Sequence, residues 1–136
     1  MVEPMSLEEI HRLNRFKSAK DLLPADWYIG ECCGKEERSD QPLVFIIYFS
    51  ITFDGKHQTA GRTYDTRATS PACARFRELV YILTKRRPPC GETTSFNELY
   101  GRHAKVKLVH GYSRMFGCFN KITDIEETET TGKVLT

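Results

Sequence analysis

Residues 43–53 constrain the fold more than any other stretch of the chain. Leu43, Phe45, Ile47, Phe49, Ile51 and Phe53 recur at every second position, the period of a β-strand. On the opposite face Val44, Ile46 and Tyr48 are apolar at first, whereas Ser50 and Thr52 are polar. A strand buried on both faces at one end and on one face at the other fits a closed, coiled barrel. Asp54-Gly55 follows, a pair favoured in two-residue hairpin loops because both residues tolerate positive φ. The return strand, 57–66, is polar, with Arg62, Tyr64 and Thr66 on one face, and is expected to be half exposed.

The rest of the chain supplies partners for this hairpin. Ser6-Leu7-Glu8-Glu9 is a capping box, and a short helix is expected from there to about residue 16, with Leu7, Ile10 and Leu13 on one face. A strand opens at Trp27-Tyr28-Ile29 and reaches about residue 35; 36–41 read as a loop. Ser70-Pro71 places an N-cap before a proline at the first helical position. Ala72, Phe76, Leu79, Val80 and Leu83 then form an apolar stripe at helical spacing. Lys85-Arg86-Arg87 suits the negative end of that helix better than a phosphate clamp, and Pro88-Pro89 stops it. Residues 90–101 are a connector with one helical turn near 96–99. A second hairpin is expected over 104–109 and 115–125, turning near 111–114. The order β-β-β-α-β-β after a short helix is that of a mainly β, five-stranded Greek-key barrel, the OB-fold. Residues 1–125 form a single domain, with 1–22 as a helical extension and 126–136 as an acidic tail too poor in apolar residues to pack.

Charge is unevenly spread. Residues 56–121 carry 13 Lys and Arg against 4 Asp and Glu, whereas the flanks are acidic and the whole chain nets only +2. A basic segment interleaved with aromatics suits a polyanion with exposed bases. No Asp/Glu pair is spaced to hold two metals, and no Cys or His spacing marks a zinc site, so neither an enzyme nor a cofactor is expected. The longest apolar run, Leu43 to Phe49, is too short for a membrane helix. The five cysteines read as free thiols. With no charged leader before an apolar block, they point to the cytoplasm.

Four segments carry a family resemblance. They are Leu23-Pro24-Ala25-Asp26-Trp27-Tyr28, Gly61-Arg62-Thr63-Tyr64, the helix at 74–83, and Glu98-Leu99-Tyr100-Gly101-Arg102-His103-Ala104-Lys105-Val106-Lys107-Leu108 followed by Phe119-Asn120-Lys121-Ile122. Together they resemble, in fold and spacing over 22–125, small phage-encoded OB-fold proteins associated with single-stranded DNA binding in replication and recombination. The resemblance implies non-catalytic binding and an acidic tail that recruits a protein partner. Here Asp124-Ile125-Glu126-Glu127-Thr128-Glu129 is acidic, but Lys133-Val134-Leu135-Thr136 follows it.

The residues expected to hold phosphates are Lys56, Arg62, Arg67, Lys105, Lys107 and Arg114, with Lys121 nearby. Tyr64, Tyr112 and Phe116 are expected to stack on bases. Phe45, Phe49, Phe53 and Phe76 belong to the core, and Trp27 anchors the N-terminal helix. Single-stranded DNA is the expected partner, with RNA the other nucleic acid in view, no membrane, and homodimerisation through free strand edges. The rival reading is a protein-interaction module, such as a phage-encoded inhibitor of a host defence or replication enzyme, with the barrel as scaffold.

Overall fold

A computed structural model describes residues 4–16, 18–38, 41–66, 73–86, 96–115 and 117–128. Among these the chain forms helix α1 (Leu7–Asn14), strands β1 (Arg15–Phe16), β2 (Trp27–Arg38), β3 (Gln41–Phe53) and β4 (Lys56–Asp65), helix α2 (Cys73–Thr84), and strands β5 (His103–Ser113) and β6 (Gly117–Glu126). Short 3-10 turns lie at Ala19–Asp21 and Phe96–Glu98. All six strands join one sheet, ordered β1-β6-β4-β3-β2-β5, and β5 also pairs with β6. The circuit β2-β3-β4-β6-β5 therefore returns to its starting strand. The fold is mainly β and barrel-like, and β1 is a sixth strand beyond the five expected.

The alternating strand behaves as its pattern demands. Phe45, Ile47, Phe49 and Ile51 are buried in the barrel with Leu79, Val80 and Leu83 of α2 and Val106 and Leu108 of β5. The ends of the stripe leave the core: Phe53, expected inside, is 50% exposed and meets the edge of the Tyr28 ring at 5.1 Å. Asp54 and Gly55 both adopt positive φ, 52° and 81°, as the two-residue turn requires.

Several boundaries move. The loop expected at 36–41 is shorter, because β2 stays paired with β3 through Glu37↔Phe45 and Arg38↔Gln41. The second hairpin turns at Arg114 and Met115, at the far end of the expected 111–114, so the strands reach Ser113 and Gly117. Helix α1 ends at Asn14, where Arg15 takes up extended backbone and starts β1, which pairs with Phe119 and Cys118 of β6. Its start is as expected, Ser6 Oγ accepting from the Glu9 amide at 3.2 Å. Ile10, fully buried with Cys33 and Tyr48, anchors this helix. Trp27 does not: it stands across the barrel wall, where the Lys105 ammonium lies 5.6 Å from its ring. Cys73 is disulfide-bonded, while Cys32, Cys33 and Cys118 are free. That corrects the expectation of thiols throughout and removes the compositional support for a reducing compartment. Among the described residues no helix is long and apolar enough to cross a membrane.

The weak point of the barrel is the seam between β4 and β6, which run parallel and meet at one residue pair, Gly61↔Lys121. Buried side chains replace the missing ladder. Asn14 Nδ2 donates to the Thr59 carbonyl at 2.8 Å and the Asn120 carbonyl at 3.0 Å. Asn120 Nδ2 donates to Gln58 Oε1 at 2.7 Å, and Thr59 Oγ1 donates to the Ile10 carbonyl at 2.7 Å. Asn14, Gln58, Thr59 and Asn120 are the buried polar residues of the described protein, and all four belong to this seam. Asn14→Ala should destabilise the protein by about 1–3 kcal/mol for each carbonyl orphaned. Ile10→Ala should cost about 2–5 kcal/mol by leaving a cavity under α1. Urea denaturation checks both, and an Asn14→Ala protein as stable as the parent would show that the seam does not need its amide.

Candidate nucleic-acid interface

The expected phosphate-binding residues fall in separate places. Lys56 is exposed beside the β3–β4 turn and Arg114 is exposed in the β5–β6 turn. Lys105 and Lys107 lie on β5 in register with Glu126 and Asp124 of β6, which places a carboxylate across from each on the same face, and the Lys105 ammonium lies over the Trp27 ring. Arg67 and Phe116 lie outside the described residues. Tyr112, at the end of β5, is 72% exposed, and Met115 in the adjoining turn is 80% exposed.

Tyr64 is corrected outright. It is 1% exposed, its ring 5.8 Å from that of Phe76, and it cannot stack on a base. The strand that reads as polar is buried on its inward face: Gln58, Ala60 and Tyr64 point into the barrel, with Arg62 half buried among them. The Arg62 guanidinium sits 5.9 Å from the Tyr64 ring centre. Burial pushes the Tyr64 phenol well above its usual range, against the pull of the Arg62 and Arg75 charges. Arg62 is near enough to act on the hydroxyl electrostatically, yet the oxygen makes no hydrogen bond of good geometry.

Arg62 instead belongs to a cleft of about 550 Å³ over the β4–β6 seam. Its cations are Arg62 from β4, Arg75 from α2 and Lys121 from β6, and among the described residues its lining contains no carboxylate. Of the lining residues Asn14, Tyr48, Asn120 and Ile122 are buried, while Arg75, Thr63 and Lys121 are exposed. Gly61 is required here because the Tyr48 ring lies across it: an added Cβ would come within 2.8 Å of Tyr48 Cε1. Among the described residues none of the three cations is in an ion pair. By contrast, Lys85 is bound to Glu127 at 2.8 Å and Arg86 to Glu98. The end of α2 is therefore tied down by carboxylates, in keeping with its helix-end reading.

Two polar atoms complete the picture. Asn120 Oδ1 and Tyr64 Oη are the buried side-chain oxygens of the described protein that lack a hydrogen-bond partner. Asn120 lines the cleft, and Tyr64 lies beneath the charges of two of its arginines. Buried polar atoms are nearly always satisfied, so the unpartnered Asn120 oxygen in the lining points to a polar occupant, whereas Tyr64 lies outside the lining, in the core beside Arg62. Arg75 escaped the sequence reading because it sits in a helix taken as core support. Its signal was an arginine on the helix's polar side, which the strand-centred reading did not weigh. Elsewhere, Ser50 Oγ lies 2.7 Å from His57 Nε2 on the exposed outer surface, but no acid orients that ring among the described residues. No group of three or more His, Cys, Asp or Glu among them is placed to hold a metal.

The wall of the cleft at Tyr48 is held from α1. Tyr48 donates to Glu36 Oε1 at 2.8 Å, and His11 Nε2 contacts the same oxygen at 2.8 Å. Partial burial pushes the Glu36 carboxyl up, but hydrogen bonds from His11 and Tyr48, with the charges of His11 and Arg15, outweigh it and hold it below its usual value. No protein-family model matches the chain, and no curated protein is similar to it in sequence.

Since folding lowers the Glu36 pKa, its contribution to stability is fully present above the ordinary carboxyl value of 4.5. That contribution is lost as the pH falls through the folded value below it. Glu36→Gln should therefore lower the urea midpoint at neutral pH, and the gap to the parent should shrink below that value. A gap constant across that range would remove the ionic part of this contact.

Proposed function

We propose that the chain is an OB-fold barrel that binds single-stranded DNA without catalysis, in replication or recombination of the phage type. The strand circuit β2-β3-β4-β6-β5, its parallel β4–β6 contact and the placing of α2 between β4 and β5 support the fold assignment. The observation that carries the binding half is the cleft: three unpaired cations, no carboxylate, and a location on the barrel wall rather than at a turn tip. Phosphates bind at Arg62, Arg75 and Lys121 through charge-assisted hydrogen bonds, the two arginines by their planar forks. Tyr112, open at the end of the β5–β6 hairpin, is the ring left to stack on a base. Lys105 and Lys107 take no part, since Glu126 and Asp124 already face them. Kinship with the phage-encoded OB-fold proteins belongs to the same proposal.

Fluorescence anisotropy with a labelled single strand tests it. Each phosphate neutralised adds about −0.7 to the slope of log affinity against log salt, so Arg75→Gln should make the slope shallower by about that much. Lys107→Gln should leave the slope unchanged, and Tyr112→Ala should cost about 1–3 kcal/mol. Equal losses from Arg75→Gln and Lys107→Gln would refute the cleft as the contact. Binding that salt does not weaken would refute electrostatic capture of DNA altogether.

A further inference from the structure

The cleft is bounded by the seam and by Asn14 at the end of α1. On one side the seam is already filled: Asn14 bridges from β4 to β6, and β1 pairs with β6 at Phe119 and Cys118. The neighbouring outer face of β3 and β4 is covered by α1, whose Ile10 packs with Cys33 and Tyr48 and whose backbone accepts from Thr59. The lining combines the exposed Arg75, Thr63 and Lys121 with the buried Asn14 and Tyr48, an arrangement that favours a chain end over a strand threading through. The volume, about 550 Å³, suits a nucleotide or two rather than a run of them.

The charge points the same way. An internal phosphodiester brings one negative charge, whereas a phosphomonoester carries about −1.5 to −2 at neutral pH and offers three acceptor oxygens. Three unpaired cations in one acid-free cleft match the second better than the first. Asn120 Oδ1 is an acceptor without a donor in the cleft lining, which favours a ligand that carries N–H or O–H groups beyond its phosphate, as a nucleoside does.

Building on the single-stranded DNA reading, we propose that this cleft receives the phosphorylated end of a DNA strand. The terminal phosphomonoester is held by Arg62, Arg75 and Lys121, and the last nucleoside lies against Asn120. The protein is then an end-binder, and contacts further along the strand add affinity without setting position.

The test compares one oligonucleotide, labelled at an internal base, in three forms: 5′-phosphorylated, 3′-phosphorylated and hydroxyl at both ends. One phosphorylated form should bind about tenfold or more tightly than the hydroxyl form, the scale of one or two added charged hydrogen bonds. In Arg75→Gln that ratio should fall close to one, with an unchanged melting temperature showing that the exposed substitution leaves the fold intact. Thymidine monophosphate should compete better than inorganic phosphate at equal concentration. Equal affinity for all three forms overturns end recognition while leaving strand binding standing, and a preference that survives Arg75→Gln overturns its placement in this cleft. If no form binds, the single-stranded DNA reading itself falls.

Discussion

A barrel closed by one parallel residue pair has to make its last seam out of side chains. Everything particular to this protein follows from that. Between β4 and β6 the backbone ladder is reduced to Gly61 and Lys121, and buried carbonyls beside the gap would cost free energy if left bare. Asn14 reaches across from α1 to satisfy two of them. The helix is thus part of the barrel wall, and the residues just after it form β1 along the open part of β6. The cleft lies next to this repair because the repair is partial. Tyr48, Asn14 and Asn120 serve both, packing or bonding in the seam and lining the hollow beside it.

Local periodicity made much of this fold legible. The alternating stripe of β3, the Asp54-Gly55 turn and the apolar face of α2 each declare their element and their buried side, and from them the order of elements follows. The failures lie where tertiary context overrides a local pattern. Residues 57–66 read as half exposed because they are polar, yet Gln58 and Thr59 are buried as members of the seam network and Tyr64 as part of the core. An isolated asparagine or glutamine carries no local signal that it will span a gap between strands far apart in sequence. Phe53 failed for the opposite reason: the stripe it belongs to outruns the barrel, and its last ring emerges beside Tyr28.

The site was harder still. The excess of cations in the middle of the chain is a fact of composition, but folding divides them. Lys105 and Lys107 meet Asp124 and Glu126 across the second hairpin, and those two acids lie just beyond the stretch whose charge was counted. The hairpin register sets these acids across from the lysines, and a turn misplaced by a few residues is enough to hide that facing. Arg62 is expected as an exposed residue on a polar strand, and instead is half buried and lines the cleft where β4 leaves β6. Arg75, from a helix, joins it only through the fold.

The position of α1 limits what this barrel can bind. If the barrel is the OB-fold proposed, the surface on which such barrels commonly hold extended strands would be the outer face of β3 and β4. That surface is occupied at its centre by Ile10, with Glu36, His11 and Tyr48 bonded together at its edge. Removing α1 to free the surface would strip Asn14 from the seam and open the barrel, so clearing that path and keeping the fold are in conflict. The helix is therefore a fixed wall rather than a removable cover. Under the proposed reading, polyanion contact would be left to what α1 does not reach: the cationic hollow at the end of the repaired seam, and the β5–β6 hairpin with Tyr112 exposed near its turn.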